Sequence, residues 1–175
     1  MDNAQIKQEA ATKIEEAFAD TPMPQKGRYW EGPHECEDIE DHIGGIHWRD
    51  VPLQTLSWWR DCINYLTPEA FRFYVPAYML MVLLHPIEGD TLVDNIVGCL
   101  SPSGDFHNRH LKEQSKFVKP KEAEGIIAFL EAYQSLMDAD DPYFSDNYGI
   151  YHHKRHLEDG ILFWTSVRNG IDVSL

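Results

Sequence analysis

Residues 66–84 read LTPEAFRFYVPAYMLMVLL, and they decide the fold class. Thr67 offers a side-chain oxygen just ahead of a helix, Pro68 suits the first helical residue because its missing N–H would go unpaired there anyway, and Leu66 and Phe71 stand where a hydrophobic staple closes. These signals predict a helix that begins at Pro68. Pro76 removes a backbone donor inside it, so the element is expected to kink or to restart with Pro76 in its own first turn. The apolar run Val75–Leu84 is about half of the roughly 20 residues needed to span a bilayer, which makes it a core segment.

Helical spacing recurs on both sides of this stretch. Upstream, Ile6, Ala10, Ile14 and Phe18 fall every fourth residue between Asn3, the expected N-cap, and the breakers Pro22 and Pro24. A connector, 21–33, carries Tyr29 and Trp30, which are expected to pin it to the core. Asp50 is then expected to cap a helix with Pro52 in its first turn and Leu53, Leu56, Trp59, Ile63 and Leu66 along its buried stripe. Downstream, Leu92, Ile96 and Leu100 form a shorter stripe that the turn 101–104 stops, and a polar helix is expected around HLKEQSKF, 110–117. From Pro120, the residues Ala123, Ile126, Ile127, Leu130, Tyr133 and Met137 make the longest stripe in the chain. Leu157, Ile161, Trp164 and Val167 make the last, which Asn169 and Gly170 would end in a left-handed C-cap. No segment alternates with a period of two. The reading is an all-α fold, a single compact domain over residues 1–175 with about six helices.

The composition narrows the function. The 175 residues are 43% hydrophobic and 12% aromatic, enough to bury a sizeable core, and they hold 29 acidic residues against 15 basic ones, a formal net charge of -14. A field of that sign opposes nucleic-acid phosphates and steers cationic partners, besides keeping the protein soluble. Neither nucleic acid nor membrane is expected as a partner. Residues 1–18 lack the basic start, apolar run and cleavage site of a signal peptide, so they are expected to begin a mature protein. Cys36, Cys62 and Cys99 are odd in number, widely spaced and without a CxxC pair, which argues against a disulfide framework and for a reducing, cytoplasmic setting.

The densest concentration of chemistry-bearing side chains is HECEDIEDHIGGIHW, 34–48, with three histidines, one cysteine and five carboxylates. Cys36, Ile39 and Ile43 lie at helical spacing, which turns the cysteine inward and leaves Glu35, Glu37, Asp38, Glu40 and Asp41 largely on the wet side. His34 falls on a different face from Cys36, and paired ligands at zinc-site separations are absent. This stretch therefore reads as a solvated acidic face for a protein partner. DADDPYFSDNYG, 138–149, has Pro142 and Tyr143 where an EF-hand loop from Asp138 needs a polar ligand and glycine. It reads instead as a binding loop, with Asp138, Asp140, Asp141, Tyr143 and Tyr148 as contacts. Trp48, Trp58 and Trp59 are expected to fill core, though one ring of the adjacent pair must point away from whatever the other packs against. The alternative chemistry is a metal site from His152 and His156, at i, i+4, with His107 and His110, at i, i+3. It lacks the glutamate of HExxH and has Lys154 and Arg155 beside it. The main reading thus takes no metal or other cofactor.

Residues 47–84 resemble a family of small, uncharacterised bacterial proteins in which a tryptophan and a helix precede an LTPEAFRYYLPAYL-like run. Trp48, Leu66, Thr67, Pro68, Glu69, Ala70, Phe71, Arg72, Tyr74, Pro76, Ala77 and Tyr78 carry the match, with Val75 in place of leucine. FVKPKEAEGIIAFLEAY, 117–133, is similar to the family's second block. The resemblance implies a bacterial helical domain and supplies no active site. A small, acidic chain without a catalytic signature suits a noncatalytic binding protein, for example an immunity or antitoxin-type inhibitor that masks a basic toxin domain; the alternative is a metal-dependent hydrolase-like enzyme built on the histidines.

Overall fold

The computed structural model describes residues 2–27, 29–30, 36–102, 105–144 and 152–171. They form an all-helical domain whose longer elements are α1 (Asn3–Ala17), α4 (Pro68–Leu84), α6 (Thr91–Cys99), α7 (Asp105–Ser115), α8 (Pro120–Asp138) and α9 (His152–Arg168). Shorter ones are α2 (Ile39–Ile43), α3 (Leu53–Trp58), α5 (Pro86–Gly89) and the 3-10 turns Trp48–Asp50 and Arg60–Tyr65. Among the described residues there is no strand, only an isolated bridge between Trp30 and Leu66.

Two layers follow from the apolar stripes. α8 packs against α1 and α9, and α4 runs through the middle of the molecule against α1, α3, α6, α7 and α8. α4 is buried on nearly every side, from Ala70 and Phe71 through Tyr74, Val75 and Tyr78 to Leu83, as its hydrophobic sequence requires. At Gly125 a side chain is forbidden by contact: a Cβ there would lie 2.8 Å from Ala17 Cβ and 3.0 Å from Phe18 Cε2, so α1 sits directly on the backbone of α8.

The start of α4 is as expected. Thr67 Oγ1 accepts from the Ala70 N–H at 3.4 Å, Pro68 occupies the first turn, and Leu66 and Phe71 are both buried. The helix runs unbroken through Pro76, so there is no restart there. α9 also ends as expected. Gly170 adopts φ 69°, the Ile171 N–H returns to the Ser166 carbonyl at 2.9 Å, and the Gly170 N–H to Val167 at 3.0 Å.

Three local expectations are corrected. Asp2, not Asn3, caps α1, its carboxylate accepting from the Gln5 N–H at 2.8 Å. Asp50 closes a 3-10 turn and caps nothing, since α3 starts beyond Pro52 without a side-chain cap. The stripe from Leu53 to Leu66 is two elements, because the Trp59 carbonyl accepts from the Tyr78 hydroxyl at 3.2 Å and from the Cys62 N–H at 3.0 Å, which tightens the chain into the 3-10 turn.

The larger correction concerns the cysteines. Cys36 and Cys62 are joined in a disulfide, and Cys99 is free and buried. Spacing in the sequence could not reveal a pair that folding brings together across a separation of 26 residues. The inference from unpaired cysteines to a reducing compartment therefore loses its footing.

Candidate functional site

Helix α2 is the short acidic helix read from 34–48. Five residues make a marginal helix in isolation, and its N-cap Asp38 forms no side-chain cap bond, so tertiary contacts hold it. Ile39 and Ile43 are buried, and the Tyr74 hydroxyl of α4 donates to the Ile43 carbonyl at 2.7 Å, with the Ile46 carbonyl 3.2 Å away. Burial first, and Tyr29 alongside, push the Tyr74 phenol well above its ordinary value, so it stays a hydrogen-bond donor. The His42 ring lies 5.1 Å from that of Trp59, and the disulfide ties Cys36 to the 60–65 turn.

This scaffold leaves Glu37, Asp38 and Asp41 exposed, while Glu40 is half-buried and accepts from the Gly27 N–H. The 60–65 turn contributes exposed Asp61. Next to Trp59, which is buried at 8% exposure, Trp58 stands 79% exposed. Trp48 and Trp59 fill core as expected, but Trp58 does not: the one-residue offset turns its ring away from that of Trp59, and no described element covers it. Trp58 and Asp61 were not among the residues singled out for binding. The pair signalled that its two rings diverge, and nothing local signalled Asp61, which adjoins the disulfide-bonded Cys62 in the chain.

The second acidic segment lies elsewhere. Glu122, in the first turn of α8, contacts Arg72, two residues from Tyr74 and α2, whereas Asp138 is sixteen residues further on, roughly 24 Å at 1.5 Å per residue. The two segments sit towards opposite ends of α8. Within the loop, much of the acidity has structural work. Asp141 is only 5% exposed, bonded to Lys7 Nζ at 2.9 Å and Asn3 Nδ2 at 3.1 Å, and it accepts from the Tyr143 N–H at 3.1 Å. Asp140 adopts φ 51° and ends α8: its N–H returns to Met137 and that of Asp141 to Leu136. Asp138 is exposed and meets Lys154 at 3.4 Å. Tyr143 is exposed; Glu35 and Tyr148 lie outside the described residues.

The histidines of the metal alternative fall on two helices. His110 is on α7 and His156 in the first part of α9, both half-buried; the side chains of His107 and His152 lie outside the described residues. The C-terminal turn of α7, at Lys112 and Ser115, shares a groove with Val167 and Ile171, roughly 16 Å along α9 from His156. Among the described residues no group of three or more His, Cys, Asp or Glu could hold a metal ion. No described helix is long and apolar enough to cross a membrane.

The molecule is thus an all-α protein with exposed carboxylates on α2 and in the 60–65 turn and an exposed tryptophan at the end of α3. Residues 6–145 match a family of unknown function (DUF6714), and the chain belongs to that family. No curated protein and no solved structure matches it.

Proposed function

We propose that the chain is a noncatalytic binding protein, an immunity or antitoxin-type inhibitor that masks a basic protein domain, with cytoplasmic action as part of the proposal. The observation that carries the reading is the exposure of Trp58, at 79%, in a chain whose α2 and 60–65 turn also expose the carboxylates Glu37, Asp38, Asp41 and Asp61. A large aromatic side chain that a partner can desolvate is the usual energetic centre of an interface, and charge around it sets encounter rate and partner choice. The net charge of -14 adds a long-range field of the same sign.

The test begins with capture of a partner and measurement of association at low and high salt. Lysine at Glu37, Asp38 and Asp41 is expected to slow association and flatten its salt dependence with little effect on folding, whereas Trp58→Ala is expected to raise the dissociation rate. Unchanged kinetics in both variants would remove the face from consideration.

A further inference from the structure

We propose that the trough between α3 and α4 is a binding site for a medium-chain acyl carboxylate, with the tail along Leu53, Leu80 and Leu84 and the carboxylate on Arg49. None of the α2 carboxylates lines this trough, so the site stands apart from the partner-binding reading.

The trough encloses a volume of about 270 Å³. Small-molecule sites run from roughly 300 Å³ upwards, so this space suits one unbranched chain and not a fused ring system. Leu56, Ala77 and Met81 are buried in its floor. Leu53 and Leu80 are half-buried and Leu84 is 41% exposed, so three leucines on its two sides keep apolar surface in water. The long direction follows α4. Ala77, Leu80, Met81 and Leu84 recur every three or four residues, which puts them on one face of that helix, and from Ala77 to Leu84 it rises roughly 10 Å at 1.5 Å per residue.

The two ends of the trough differ. The 48–50 turn stands at the Ala77 end, since the ring of His47 lies 5.5 Å from that of Phe73, one turn before Ala77. There the Arg49 guanidinium stacks on the Trp48 ring, 4.3 Å from its centroid, and Nη2 donates to the Glu15 carbonyl at 2.9 Å. These contacts orient the guanidinium, and among the described residues no carboxylate pairs with it, which leaves Nε and Nη1 as donors for a carboxylate. The indole N–H of Trp48, in the same wall, is buried without an acceptor among the described residues, although buried donors are nearly always paired. Arg49 is the one lysine or arginine among the described residues that line the trough; the far end carries Leu84 and His85, both exposed. An amphiphile with an anionic head therefore has a defined direction. Glu15 lines the trough too, and the net charge of -14 opposes any anion, so burial of the tail supplies the affinity and Arg49 the headgroup preference.

The test titrates octanoate into the full, isotopically labelled chain, with hexanoate, octanol and octylamine as comparisons, and reads NMR shifts and titration calorimetry. Octanoate is expected to shift the signals of Leu53, Leu80, Leu84 and the Trp48 indole N–H. It is expected to bind on the order of tenfold more tightly than hexanoate, because two more methylene groups leave water. Octylamine is expected to bind about threefold or more weakly than octanoate. Arg49→Gln is expected to weaken octanoate by about threefold or more and to leave octanol unchanged, and Glu15→Gln to tighten octanoate, with the amide signals of α8 and α9 unmoved in both variants. No binding of octanoate, or shifts confined to other residues, overturns the site. Octylamine binding as tightly as octanoate, or octanoate affinity unchanged by Arg49→Gln, overturns the carboxylate assignment. An amphipathic helical peptide that binds at these leucines where octanoate does not makes the trough a protein-docking groove and overturns the acyl ligand.

Discussion

Arg72 and Glu122, separated by 50 residues, form a two-pronged ion pair in which Arg72 Nε and Nη2 each reach a different carboxylate oxygen at 2.7 Å. The same carboxylate accepts from the Thr21 hydroxyl at 2.7 Å and from the Lys119 N–H at 2.8 Å. One acidic side chain thereby joins the start of α8 to α4 and to the end of the α1 segment. Arg72 belongs to the LTPEAFR stretch and Glu122 to FVKPKEAEG, so this bond is where those two blocks meet.

Because both side chains are largely buried, at 13% and 4% exposure, Glu122→Gln leaves a guanidinium without its counter-charge and is expected to cost about 3 kcal/mol. Urea unfolding measures it. A loss well under about 1 kcal/mol would place this pair with ordinary surface ion pairs.

Thr67→Ala removes the cap of α4 and is expected to cost about 1 kcal/mol, read as a lower denaturation midpoint with an unchanged slope. Thr67→Asp, which restores an oxygen at the same place, is expected to recover most of it.

Asp140 takes a left-handed conformation that glycine adopts without a Cβ penalty. Asp140→Gly is therefore expected to stabilise the protein by about 1 kcal/mol, visible as a raised Tm. A fall in Tm would mean that the carboxylate contributes more than the backbone conformation costs.

The Cys36–Cys62 bridge closes a loop of 26 residues, for which chain entropy gives about 3.5 kcal/mol of stabilisation. Unfolding of the oxidised protein with and without reductant tests this, and the Cys36→Ser, Cys62→Ser variant should match the reduced wild type.

What the sequence determined by itself was the set of signals that act over a few residues. The cap at Thr67, Pro68 in the first turn, the four-residue spacing from Ile6 to Phe18, the stripe after Pro120 and the stop at Gly170 each depend on neighbours along the chain, and they define an all-helical protein. The one-residue offset of the WW pair implied that its rings diverge, but not that Trp58 would be left exposed. What only tertiary structure decided were the partners of side chains far apart in sequence. Cys36 reaches Cys62, Arg72 reaches Glu122, Lys7 neutralises Asp141, and the Tyr78 hydroxyl helps break the stripe at Trp59. These choices depend on how helices pack, which local propensity does not encode. The same limit separated the two acidic segments: in sequence both look alike, but folding buries Asp141 against Lys7 and leaves the side chains of Glu37, Asp38 and Asp41 exposed.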